Sequence, residues 1–90
     1  MAIGIVFVTD GVTQAQYEQV RDAVFPDNRL PPGMLSHNAG PTQGGWCVVE
    51  IWESQEAAQA FFEQKLGQAL QVAGINISPP ISFQVVTTMQ

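Results

Sequence analysis

The sequence predicts an α+β domain of the ferredoxin-like class: an antiparallel βαββαβ sheet with two helices on one of its faces. Three observations lead there. Apolar runs and helical stripes alternate in the order strand, helix, strand, strand, helix, strand, the split βαβ pattern. The chain has 90 residues, against roughly 100–200 per domain, so residues 1–90 read as one domain. Apolar residues make up 46% and charged residues 12%, against an average of about 25% charged. That is too apolar for a disordered chain, and it leaves a small monomer short of charged surface.

Each element has its own local cause. Ile3 to Val8 is a short β-branched run closed by Asp10-Gly11. Both of its parities are apolar apart from Gly4, so it reads as a central strand covered on both faces. Thr13 can cap the first helix, with Gln16 completing a capping box. Tyr17, Val20 and Val24 form its apolar stripe, and Phe25-Pro26 ends it, because a residue before proline avoids the helical region. Pro26 to Gly33 reads as a loop, Met34 to Ala39 as a short strand, Gly40 to Gly45 as a turn and Trp46 to Trp52 as the other arm of a hairpin. Ser54 caps the second helix, whose spacing runs through Ala58, Phe61, Phe62, Leu66, Ala69, Leu70 and Ala73. Gly74 sits where a left-handed C-terminal cap belongs. Ile81 to Thr88 reads as the last strand, with Phe83 and Val85 on one face.

Charge and cysteine content exclude several functions. Three cations (Arg21, Arg29, Lys65) stand against eight acids, for a net charge of -5. Nucleic-acid binding needs Lys and Arg to neutralise phosphates, and scattered cations make no patch, so no nucleic-acid partner is expected. Anionic membranes are disfavoured for the same reason. No run reaches the roughly 18 apolar residues of a membrane helix, and the apolar opening meets Asp10 too soon for a signal peptide. Cys47 and His37 are single residues of their kinds; they make no disulfide, redox pair or metal constellation. A cytoplasmic protein without metal or cofactor is expected.

A sheet with both helices on one side has a bare second side, which should be polar in a monomer. On the Trp46–Trp52 strand, one parity is Cys47, Val49 and Ile51, and the other is Trp46, Val48, Glu50 and Trp52. The uniformly apolar set is expected under the helices, with Cys47 buried and inert. That leaves two tryptophans and a valine as an exposed patch. A second copy packed sheet to sheet would cover it, so a homodimer through sheet faces is expected.

Six residues are candidates for a site. His37 has an unperturbed pKa near neutrality and can act as a general base or orient a phenol or ketone; it can equally tie the hairpin by a backbone hydrogen bond. Glu50, mid-strand between Val49 and Ile51, costs energy unless paired or solvated. It can line a pocket and move protons, pair across a dimer, or bond to His37. If the hairpin pairs Ala39 with Trp46, His37 lies opposite Val48 with Glu50 diagonal to it, and a one-residue slip removes that neighbourhood. Trp46 and Trp52 can stack on an aromatic ligand, or serve as core or interface packing. Tyr17 can point its hydroxyl into a pocket between sheet and helices, and Asn38 can orient a ligand; ordinary packing and a turn hydrogen bond are the alternatives.

The segments Leu35-Ser36-His37-Asn38-Ala39-Gly40-Pro41-Thr42-Gln43-Gly44-Gly45-Trp46 and Val48-Val49-Glu50-Ile51-Trp52-Glu53-Ser54 resemble the dimeric α+β barrel superfamily. Its near neighbours are small uncharacterised actinobacterial proteins and the antibiotic biosynthesis monooxygenase-like group. The resemblance implies a homodimer of ferredoxin-like subunits with a pocket between sheet and helices, and places His37 in a His-x-x-Gly-Pro-Thr pattern. Members include cofactor-free oxygenases of polyketide phenols, haem-degrading enzymes, isomerases and proteins without a known reaction, and fold alone does not choose among them. The haem-degrading pattern needs a tryptophan and a histidine where this chain has Phe61 and Gln71, and neither supplies the chemistry. Two readings follow. One is a homodimeric binder of a small apolar or aromatic molecule, in its catalytic form a cofactor-free monooxygenase-like enzyme with His37 and Glu50 handling protons. The other is a non-catalytic homodimeric module whose polar residues satisfy one another.

Overall fold

A computed structural model describes residues 2–89. Four strands form one antiparallel sheet in the order β2-β3-β1-β4: β1 (Ile3–Asp10), β2 (Met34–Thr42), β3 (Gly45–Trp52) and β4 (Ile81–Gln84). Helix α1 (Gln14–Val24) follows β1. The second helical arm is α2 (Gln55–Phe61), a π-helical turn (Phe62–Leu66) and α3 (Gly67–Ala73). The expected ferredoxin-like class is the observed one.

The helix ends are where local chemistry puts them. Thr13 and Gln16 form a reciprocal capping box at α1, and the Ser54 side chain accepts the Ala57 N–H at the start of α2. Gly74 adopts φ 73°, ψ 27°. Its N–H bonds to the Gln71 carbonyl, and the Ile75 N–H to that of Leu70, so the last turn is closed by a Schellman pair. The π turn interrupts an otherwise α-helical rod, a feature the 3.6-residue stripe does not predict. Pro26–Asn28, expected as loop, makes one 3₁₀ turn.

Two expectations are corrected. First, β2 continues through Gly40, Pro41 and Thr42 to a two-residue turn, Gln43-Gly44, with Thr42 paired to Gly45. Gly44 at φ 85° supplies positive φ at the second central position, where glycine is favoured, and Pro41 is tolerated because β2 is an edge strand. Second, β4 ends at Gln84 rather than Thr88, although the Val85 N–H still bonds to the Ala2 carbonyl at 2.9 Å. β1 is the central strand expected; within one copy of the chain the helices cover one of its faces, and Val8 on the other is 53% exposed.

The largest correction concerns which face of β3 the helices cover. Trp46, Glu50 and Trp52 are the buried residues of that strand. Trp52, 1% exposed, joins the core with Val20, Val24, Phe25, Met34 and Phe61. Directly paired residues share a face, so Ile3, Ile5 and Phe7 lie with Trp52, Glu50 and Val48 on the covered side. Cys47, Val49 and Ile51 lie on the other side with Val8, Val6 and Gly4, and β4 adds Phe83 and Ile81 there. Cys47 is half-buried on that open face instead of lying under the helices. The polar-containing parity is the inner one because its polar groups bond to one another, as described next; residue type alone did not reveal that.

Candidate functional site

A β-bulge decides which residues of β2 reach this inner face. Met34 pairs with Trp52, but Ser36 pairs with Ile51, so Leu35 is the extra residue. Without it, Met34 and His37 would point to opposite faces, since side chains alternate along a strand. The bulge brings both under the helices and leaves Leu35 56% exposed. His37 then sits directly opposite Glu50, with Pro41 opposite Trp46. The expected pairing of Ala39 with Trp46 is two residues off. The true register keeps the same face and brings His37 and Glu50 closer than a diagonal pair.

The two form the centre of a hydrogen-bonded chain. Glu50, 4% exposed, accepts the Trp52 indole N–H at Oε1 (3.0 Å) and faces His37 Nδ1 with Oε2 (3.1 Å). A carboxylate only accepts, so Nδ1 carries the proton and donates. In the neutral ring Nε2 is then the acceptor, and it meets the Tyr17 hydroxyl at 2.7 Å. The chain runs from Trp52 through Glu50 and His37 to Tyr17, from the buried core to the half-exposed flank of α1. Removing one partner would strand buried donors or acceptors, at about 1–3 kcal/mol each.

Aromatic rings fix the geometry. The Phe25 edge meets the His37 ring at 4.7 Å between centroids. Tyr17 stacks on Trp46 at 5.2 Å, and Trp52 packs on Phe61 at 5.3 Å. Burial is the main influence on the Tyr17 phenol and pushes its pKa above the ordinary 10.0; Arg21 opposes this and Glu50 adds to it.

Between sheet and helices lies a cavity of about 70 Å³, walled mainly by carbon from residues such as Phe7, Val20, Val24, Phe25 and Phe61. Its polar edge is Tyr17, His37, Glu50, Trp46, Arg21 and Thr9. Tyr17, Arg21, His37 and Trp46 also line a groove on the outside, beside Pro41, so they form the wall between cavity and surface. A second cleft, between β1, β4 and α2, reaches Glu50 and Trp52 from the other side. The Trp46 indole N–H differs from its neighbours: among the described residues it is the one buried polar side-chain atom with no hydrogen-bond partner.

Of the six residues singled out in the sequence, Tyr17, His37, Trp46, Glu50 and Trp52 come together here. Asn38 does not: it pairs with Val49 on the open face and is exposed. Trp52 lies beneath the cavity with its N–H committed to Glu50. Sequence reasoning missed Arg21 and Phe25 as site residues. The usable signal was helical spacing, since Arg21 is four residues after Tyr17, on the same face. Of the two positions weighed for haem chemistry, Phe61 lines the cavity and Gln71 is exposed on α3. Among the described residues no group of three or more His, Cys, Asp or Glu is placed to hold a metal, and no helix is long and apolar enough to cross a membrane.

No protein-family model and no curated protein matches the sequence. Solved structures do match. A Chloroflexus aurantiacus protein provisionally assigned as an antibiotic biosynthesis monooxygenase superposes with a TM-score of 0.70 at 14% identity, over 100% of this chain and 98% of that one. SnoaB, a cofactor-independent oxygenase from Streptomyces nogalater, gives 0.64 at 18%, over 98% and 95%. The chain has the fold of the antibiotic biosynthesis monooxygenase-like proteins. A dimeric ferredoxin-like protein of unknown function from Thermobifida fusca shares that fold, with a TM-score of 0.62 at 19% identity over 92% and 88%.

Proposed function

We propose that this chain is a homodimeric small-molecule-binding protein whose pocket takes an aromatic or otherwise apolar ligand and moves a proton on it without metal or flavin. The observation that carries this is the Tyr17–His37–Glu50 chain at the wall of an apolar cavity. A base held in one tautomer by a carboxylate is the arrangement by which a weak side chain becomes a proton acceptor. Here Tyr17 is the end of the chain nearest the outer groove. A ligand O–H or acidic C–H that gives its proton to the Tyr17 oxygen lets the phenol pass its own proton to His37 Nε2. Glu50 then faces the resulting imidazolium. The carbon walls exclude water and keep the exchange between protein groups. SnoaB, with the same fold, is a cofactor-independent oxygenase, which supports a reaction that begins by making such an anion.

Two copies packed through their open sheet faces would bury Val6, Val8, Val49, Ile51, Ile81 and Phe83. The Thermobifida fusca protein of the same fold is dimeric, which supports a dimer, and the exposure of Val8, Ile81 and Phe83 supports this face as the interface. The second reading, a non-catalytic homodimeric module, is favoured by one observation: the four groups of the chain already satisfy one another.

Oxygen uptake and ligand binding, measured across a panel of phenols and cyclic ketones, decide between the two. The catalytic reading expects turnover that falls at least roughly a hundredfold in His37→Ala and Glu50→Gln, the range for losing a general base. If both variants bind and turn over ligands as the wild type does while only thermal stability moves, the module reading replaces it.

A further inference from the structure

We infer that the cavity and the cleft beside β4 are two halves of one ligand space, and that Leu66, on the π turn, is the side chain that divides them and sets the size of ligand the protein admits. The inference rests on the pocket proposed above and adds its far half and its gate.

The closed cavity is too small for a ring. A cavity of roughly 150 Å³ is the scale that takes one benzene, and this one measures about 70 Å³. A wall has to move, and the cleft behind one wall holds about 320 Å³. Four residues line both spaces: Phe7, Glu50, Phe61 and Leu66. Three of them are held. Glu50 bonds to His37 and Trp52, Phe61 packs on Phe25 and Trp52, and Phe7 is buried on the central strand. The opposite wall, towards the outer groove, is tied by the Tyr17–His37 hydrogen bond and the Tyr17–Trp46 stack. Leu66 differs: it is half-buried and ends the π turn Phe62–Leu66.

That turn gives it room to move. The Gly67 N–H reaches back five residues to the Phe62 carbonyl, where an α-helix reaches back four. The extra residue can pass along the rod by exchanging one kind of bond for the other, so no hydrogen bond is lost. Each residue of such a shift turns side chains by about 100° around the axis. Glycine suits the wide turn, because a Cβ at Gly67 would lie 3.2 Å from the Phe62 carbonyl oxygen. Beyond it, α3 has no fully buried residue, and elements with few buried contacts open at the least cost. With Leu66 aside, one end of a ligand stays at Tyr17 and His37 while its carbon body runs past Ile5 and Ile3 towards β4.

The test uses two probes that have no proton to give, xenon and naphthalene, on protein with ¹³C-labelled isoleucine methyls. Ile75 and Ile77 line the cavity alone, and Ile3 and Ile5 the cleft alone. Xenon, smaller than a ring, is expected to shift Ile75 and Ile77 only. Naphthalene is expected to shift all four. Leu66→Ala should tighten naphthalene roughly tenfold, the order of cost for lifting a half-buried leucine aside. Leu66→Trp should weaken it by at least about tenfold, with the xenon shifts at Ile75 and Ile77 retained in both variants. Naphthalene shifts confined to either pair, any other xenon pattern, no naphthalene binding at its solubility limit, or an affinity indifferent to the side chain at Leu66 would each overturn the inference. The wild-type spectra decide even if a Leu66 variant fails to fold. Failure of the proton chain is separate: it would abolish turnover in the panel above while leaving these shifts intact.

Discussion

The two faces of the sheet invert the usual arrangement of a half-covered sheet. The helix-covered face holds buried polar side chains, with Glu50, His37 and the tryptophan N–H groups on it, while the polar residues of the open face, Ser36, Asn38 and Thr42, are confined to the edge strand β2. The open face is nearly pure hydrocarbon from β1, β3 and β4, with Ile81 65% and Phe83 47% exposed. A soluble monomer would place them the other way round. The inner polar groups persist because they are bonded to each other and border a cavity. The outer apolar groups persist if another surface covers them.

The sharpest way to break the comparison is to charge the open face. Val49→Lys is expected to convert a dimer into a monomer, raising the dissociation constant by more than about a hundredfold, since an unpaired charge in an interface costs several kcal/mol. Native mass spectrometry reads the mass directly, and the ¹H–¹⁵N signals of the Trp46 and Trp52 indoles should hardly move. A wild-type monomer would remove the explanation offered for the open face.

On the covered face, Glu50→Ala removes the acceptor for both Trp52 and His37. It is expected to cost about 3 kcal/mol in urea unfolding, two buried donors being left unpaired. The milder Glu50→Gln keeps the Trp52 bond but presents an N–H to His37. The ring should switch its proton from Nδ1 to Nε2, visible in long-range ¹⁵N spectra, and the Tyr17 bond should be lost as an O–H donation.

A smaller effect is expected at the open face's own edge. A methyl group on Gly4 would run into the Phe83 ring packed over it. Gly4→Ala should destabilise by about 1–3 kcal/mol and raise amide exchange in Ile81–Gln84 before the rest of the sheet. If β4 exchange is unchanged, Phe83 does not hold that strand.

The smallest expected effect is a pH dependence. Burial raises the Tyr17 pKa above 10.0, so the fold favours the protonated phenol. That contribution is whole below pH 10 and is lost as pH rises through the raised value. The thermal midpoint of the wild type should therefore fall faster above pH 10 than that of Tyr17→Phe; parallel curves would contradict it.

Much of the fold was legible because it is written in short-range chemistry. Thr13-x-x-Gln16, Ser54 and Gly74 act within one helical turn of themselves, and strand order follows from the spacing of apolar runs. The site was legible in part. A lone acid amid β-branched residues and a lone histidine drew attention to Glu50 and His37, and they meet. Asn38, singled out with them, points to the open face, because neighbours in a strand face opposite ways.

The sequence by itself determined the elements, their caps and their order, since each depends on residues a few positions apart. Tertiary structure alone decided which face of the sheet the helices cover. It also decided the bulge at Leu35 that turns His37 inward, the register that sets it opposite Glu50, and the π turn in the second helical arm. Each of these depends on which distant groups satisfy one another. A strand's two parities are equivalent until a helix packs on one of them, and here the packed one carries the large side chains Phe7, Trp46 and Trp52 together with polar groups of Tyr17, His37, Glu50 and Trp52 that satisfy one another.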